Sequence, residues 1–166
     1  ITLEQFFTGN HESLQQAFSP MTIRFFILSA HYRGTVDFSN EALIASEKGL
    51  TRLMNGLADI ERVQAAEKSD DATAKFVAEL RQKCYDAMND DLQTQIVISH
   101  LFEACHVVNV LIDHKATISA ADLDELRQVM NLFSFDILGL RADKSGTNDE
   151  REAAYGKVVD MVLQLR

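Results

Sequence analysis

The 166-residue chain has no tryptophan, one proline, seven glycines and two cysteines. So few chain breakers exclude a fold of many short strands and tight turns, and favour long helices. Cys84 and Cys105 fit neither a disulfide framework nor a zinc pattern. Both fall on apolar helical faces, which predicts buried thiols in a reducing compartment. No signal-peptide pattern and no uninterrupted apolar run of membrane-spanning length stands out, so no membrane partner and a cytoplasmic location are expected. Ile1 stands first in place of methionine, as in a processed chain or a piece of a longer one. Basic residues are scarce too: Lys plus Arg number 16 against 25 Asp plus Glu, a net charge of −9. That argues against a free-standing nucleic-acid binder, DNA included, but a local basic patch on an acidic body is compatible with it.

Missing motifs exclude further classes. There is no G-x-G-x-x-G, Walker loop, G-x-S-x-G or H-E-x-x-H. Ser29 precedes Tyr32 by three residues, but nothing supplies a nucleophile with an oriented base. No catalytic residue is expected in this chain.

What is present is 46% apolar and 25% charged residues, ordinary for a globular chain of one domain or one and a small piece. Leu3 to Thr8 reads as a helical turn before Gly9-Asn10. Ser19-Pro20 starts a helix, serine capping free N–H groups and proline suiting the first position. Ile23, Phe26, Ile27 and Ala30 share a face, Phe25 and Leu28 flank it, and Arg33-Gly34 ends it, so this helix is expected to be buried. Ser39 caps the next helix. There Leu43, Leu50 and Leu57, with Leu53 and Ile60, repeat every seven residues as a bundle seam. Running to Ala66, it would be about 40 Å long. Gly49 and Gly56 weaken that helix or let a neighbour approach.

Residues 67–71 form a polar turn. Phe76, Leu80, Cys84 and Met88 mark the following helix, which "MNDD" breaks. Leu92 to His114 is the most apolar stretch and is expected to be central. Ser119 with Asp122 resembles a capping box ahead of the stripe Leu123, Leu126, Met130, Phe133 and Ile137, stopped by Gly139. Thr147 with Glu150 forms another capping box before Tyr155, Val158, Val159 and Val162. The expected fold is all-α, an antiparallel helical bundle with a helical lead-in.

Two acidic features have structural readings. Glu103 and His106 form an E-x-x-H pair, but the second pair and extra glutamates of a di-metal bundle are missing. Asp90-Asp91 lacks calcium-loop spacing and reads as a helix N-terminal cap. His31-Tyr32-Arg33 is open to two readings. It is a helix end whose cations face the negative C-terminus, or part of a modest basic patch with Arg24, Lys48 and Arg52, since arginine's planar fork suits phosphate.

The segment Arg24-Phe25-Phe26-Ile27-Leu28-Ser29-Ala30-His31-Tyr32-Arg33, then Phe38-Ser39, resembles the "LRFFLLSxHYRSPLNFS" stretch of bacterial cysteinyl-tRNA synthetases. "ITLEQFF" at the start is similar to the residues after that family's KMSKS loop. "MNDDLQT" at Met88 to Thr94, with Leu101-Phe102 and Asn109, is similar to its "MDDDFNTPxALAxLFxxxxxxN". Gln93 and Gln95 stand where the family has asparagine and proline, and Gly34-Thr35-Val36 replaces "SPL". The family's HIGH-like motif, KMSKS lysine and zinc set are absent.

The resemblance implies a fragment that lacks the catalytic domain. Residues 1–38 would be a stem-contact segment and 39–166 a helical bundle of the DALR type. It implies an enzyme that attaches cysteine to tRNA(Cys) with ATP, zinc holding the substrate thiol. Both cofactors would belong to the full-length enzyme and neither to this fragment. The implied partners are tRNA(Cys) and the chain's own catalytic domain. Arg24, His31, Tyr32 and Arg33 would contact tRNA backbone or that domain, with Lys48 and Arg52 as weaker candidates. The competing expectation is a helical protein-interaction module with no RNA role.

Overall fold

The computed structural model describes residues 1–36 and 38–142. The capping box at Thr147–Glu150 and the stripe from Tyr155 to Val162 lie outside the described residues. Among the described residues six α-helices follow one another: α1 (Leu3–Thr8), α2 (Pro20–Leu28), α3 (Asn40–Asp59), α4 (Asp71–Asn89), α5 (Thr94–Ile112) and α6 (Ala120–Asn131). A 3₁₀ turn, Ile60–Arg62, extends α3, and a π-helical turn, Leu132–Ile137, extends α6. The architecture is an all-α helical bundle with a helical lead-in.

Side chains set most of the starts. Ser19 accepts from Thr22 N–H with Pro20 in the first turn, Ser39 accepts from Ala42 N–H, and Ser119 accepts from Asp122 N–H. Each satisfies a backbone donor that the helix leaves free. Asp70 caps α4 through Thr73 N–H and also accepts from Thr117 N–H. Those two backbone bonds lower its pKa from 3.8 to about 2.

α5 lies between α3 and α4. Val97, Leu101, Ala104 and Val108 are wholly buried there, facing Leu50, Leu53 and Leu57 of α3 and Val77, Leu80 and Cys84 of α4 within one core. Among the described helices α5 alone has the length and composition of a membrane span. Its packing is that of a core helix. Gly56 allows α3 to come close: a methyl group there would stand 2.3 Å from Cys105 Sγ and 2.8 Å from its Cβ. A smaller cluster of Phe6, Phe18, Ile23, Phe26 and Leu43 fastens α1 and α2 to the start of α3. α2 serves both clusters, since Phe25 joins the main core and meets the Phe102 ring edge-on at 6.4 Å.

Several expectations from the sequence need correction. α2 stops at Leu28, five residues short of Arg33, where Thr94 of α5 takes up Leu28 O and the following turn is drawn to Asp91. Ile27 is 49% exposed, so α2 is buried on one side only. α3 ends at Asp59 and spans about 30 Å rather than 40. α4 buries Thr73, Val77, Leu80, Cys84 and Ala87, a 3.6-residue face, leaving Phe76 and Met88 at its margin. The π turn after α6 adds a residue to the register, so Leu138 is buried in place of half-buried Ile137.

Two predictions follow from this packing. Gly56→Ala should lower the unfolding free energy by about 1–3 kcal/mol through overpacking. Adding Cys105→Ala, which removes the nearest atom, should recover part of that in denaturant melts. Because Asp70 has a depressed folded-state pKa, its stabilisation is complete above about pH 4 and fades as pH falls towards about 2. Asp70→Asn should flatten the pH dependence of the melting temperature in that window.

Candidate functional site

The basic triplet lies in the turn beyond α2. Arg33 N–H bonds His31 Nδ1 at 3.2 Å and Gly34 N–H bonds His31 O at 2.8 Å, closing the chain on itself. The His31 and Tyr32 rings stack with centroids 5.0 Å apart and planes 21° apart. The Arg33 guanidinium sits over the Tyr32 ring at 5.4 Å. Tyr32 is 60% exposed, so the stack faces solvent.

All three side chains converge on Asp91, from the junction between α4 and α5. Tyr32 donates its O–H to Asp91 Oδ1 at 2.6 Å, and Arg33 Nη2 donates to the same oxygen at 3.1 Å. Arg33 Nε donates to Tyr32 Oη at 2.9 Å. His31 Nε2 stands 3.6 Å from Asp91 Oδ2. The carboxylate accepting its O–H raises the Tyr32 pKa above the ordinary tyrosine value, partly opposed by Arg33. A second tie lies beside it: Thr94 Oγ1 donates to Leu28 O at 2.7 Å, joining the first residue of α5 to the last of α2.

Asp91 and Leu92 make this placement possible. Both have left-handed backbone, φ 59° and 53°, and the chain reverses there between α4 and α5. Asp90 and Asp91 therefore do not cap α5, as their position in the sequence suggested. The cap residue is Gln93, with no side-chain cap bond, and its amide donates to Asp90 Oδ2. Asp91 is the member of the site that sequence reasoning missed. The available signal was an Asp-Asp pair immediately after a helix, inside a stretch already singled out by resemblance.

The other candidate cations lie elsewhere. Arg24 Nε donates to Leu138 O at 2.8 Å, and its guanidinium fills the space a side chain at Gly139 (φ 64°) would need. It secures the end of the π turn to α2. Arg52 covers the Phe102 ring at 5.5 Å. Lys48 is exposed one turn earlier on α3. Glu103 takes His100 Nδ1 at 3.3 Å as its partner and not His106. Burial pushes both cysteine thiols up to about 11, which keeps them protonated and unreactive.

The polar corner thus joins the two stretches, His31–Arg33 and Met88–Thr94, that each resemble one family. Residues 83–142 match the family model described as DALR domain. Along its whole length the chain is 56% identical to the cysteine–tRNA ligase of Bacteroides thetaiotaomicron. The chain belongs to the cysteine–tRNA ligase family. It is similarly 57% identical to the cysteine–tRNA ligase of Bacteroides fragilis and 51% to that of Porphyromonas gingivalis, in each case over the whole chain. The chain spans about a third of the length of these ligases, 33% of each. The corner described above is therefore a feature of a ligase-family segment that contains the DALR domain.

One titration tests the corner. Asp91→Asn should lower the Tyr32 pKa towards the ordinary tyrosine value. Ultraviolet titration with Tyr32→Phe as the reference should isolate the shift.

Proposed function

We propose that this chain is the tRNA-interacting helical part of a cysteine–tRNA ligase. The full-length enzyme attaches cysteine to tRNA(Cys) using ATP, in the cytoplasm, and this part performs neither cysteine activation nor transfer. Residues 1–38 form the stem-contact segment and the bundle from residue 39 onward is the DALR-type tRNA-binding unit. A rigid bundle holds parts that grip RNA at a fixed separation, and a few cations touch its backbone. Such contacts place the RNA without reading its sequence.

The observation that carries this reading is the meeting of two family-like stretches at one exposed, cation-bearing corner. Arg33 is the foremost phosphate contact: its side chain is 68% exposed, and its contacts with Tyr32 and Asp91 leave Nη1 free to donate. Tyr32 and His31 offer a stacked face beside it. Lys48 and Arg52 on α3 are separate, weaker candidates for backbone contact, and Arg24 is a candidate for contact with tRNA or the catalytic domain through whatever its bond to Leu138 O leaves exposed. ATP and zinc belong to the catalytic domain of the full-length enzyme. Among the described residues no group of three or more His, Cys, Asp or Glu side chains could hold a metal.

In the full-length enzyme, Arg33→Ala should raise the KM for tRNA several-fold. It should also make log affinity less steep in log salt by about one unit, while cysteine-dependent ATP–pyrophosphate exchange stays at wild type. An unchanged KM and salt slope would remove Arg33 from the interface. The isolated chain should show no such exchange.

A further inference from the structure

We propose that Asp91 is a positioning residue: its carboxylate latches the end of the lead-in segment to the α4–α5 junction and fixes the angle between them. This rests on the tRNA-handling reading above and adds to it how the two parts are kept in register. The first ground is reach. A single side chain accepts from two consecutive residues of the turn beyond α2, 58 and 59 positions away for Arg33 and Tyr32, with His31 Nε2 beside it at 3.6 Å. The second is backbone. Successive left-handed residues, one of them a leucine, are costly for side chains with a Cβ. Here they bring a carboxylate across to α2 instead of leaving it to cap α5, the role such a position normally offers.

The third ground is that the latch has two points. Thr94 Oγ1 on Leu28 O flanks Asp91 on Tyr32 and Arg33, so the end of α2 is tied to the start of α5 on both sides of Gln93. These two ties act at the end of a helix already held by Phe25 in the main core and by Arg24 on Leu138 O, so they settle the turn beyond it. The latch also leaves its cation usable. Of the five N–H donors of a guanidinium, the corner engages only those of Nε and Nη2 of Arg33, whose side chain is 68% exposed. Asp91 therefore orients Arg33 without consuming it.

The test uses the full-length ligase with complete tRNA and with a minihelix carrying only the acceptor stem. The minihelix cannot span the two parts and is less sensitive to their angle. Asp91→Gly removes the carboxylate and suits the left-handed backbone. It should lower kcat/KM for complete tRNA about tenfold. Minihelix charging should fall by less than that, and ATP–pyrophosphate exchange should stay at wild type. Asp91→Asn, which keeps an acceptor for the Tyr32 hydroxyl, should recover part of the loss and serves if the glycine variant folds poorly. Equal losses on both RNAs, or no loss on complete tRNA, would overturn the latch. If Arg33→Ala leaves the salt slope unchanged while Asp91→Gly separates the two RNAs, the phosphate contact fails and the latch stands. The reverse pattern removes the latch and keeps the contact.

Discussion

The structure depends on the burial of α5 between α3 and α4. Its 19 residues span about 28 Å, and its inner face is closed to solvent from Val97 to Val108. Gly56 lets α3 approach closely enough for Cys105 to fill the space where a side chain would project. Interiors packed this tightly deform little. α5 consequently acts as a strut, and what is fastened to one of its ends is held at a set distance from what is fastened to the other.

Each end carries a different kind of fastening. At the start, Thr94 and Asp91 bind the turn beyond α2. Beyond the end, the loop before α6 runs beside the loop before α4. Ala66 N–H donates to Ile118 O at 2.7 Å and Ser119 N–H donates to Ser69 Oγ at 2.7 Å, while Asp122 accepts from the Ser69 hydroxyl. Arg81 and Glu125 add a paired bond between α4 and α6, at 2.7 and 3.0 Å. The second fastening mixes backbone and side-chain bonds, and its side-chain bonds are half-buried, which suits permanent structure. In the first, the Asp91 bonds to Tyr32 and Arg33 are exposed, which suits a surface that meets a partner.

The sequence displayed whatever depends on local chemistry. Ser19, Ser39 and Ser119 announced their helices, and the leucine seam of α3 faces inward as its spacing required. Errors arose where tertiary geometry decides. No glycine or proline follows Leu28 before Gly34, so nothing local ended α2 early. On α4, four-residue spacing drew attention to Phe76 and Met88, whereas a straight helix buries the 3.6-residue face through Val77 and Ala87. The π turn that seats Leu138 has no composition of its own. Asp91 was hidden for the same reason: its role requires a left-handed backbone at two residues and a partner nearly sixty positions away.

An exposed ion pair adds little to folding stability, because water and salt screen it and two long side chains must be held still. Asp91 and Arg33 are 37% and 68% exposed, so stability is a poor explanation for a costly backbone that brings them together. Direction is a better one. The chain as a whole is acidic, net −9, and would repel a polyanion. Screening confines each charge to about 8 Å at physiological salt, so what RNA would meet is the local arrangement. A lone arginine on such a body would spend binding energy on its own immobilisation. Held by Tyr32 and Asp91, Arg33 has lost that freedom on folding, and the neighbouring carboxylate is the counterweight that keeps the attraction modest. On the proposed reading, a partner that has to be released is better met by a weak, well-aimed contact than by a strong one.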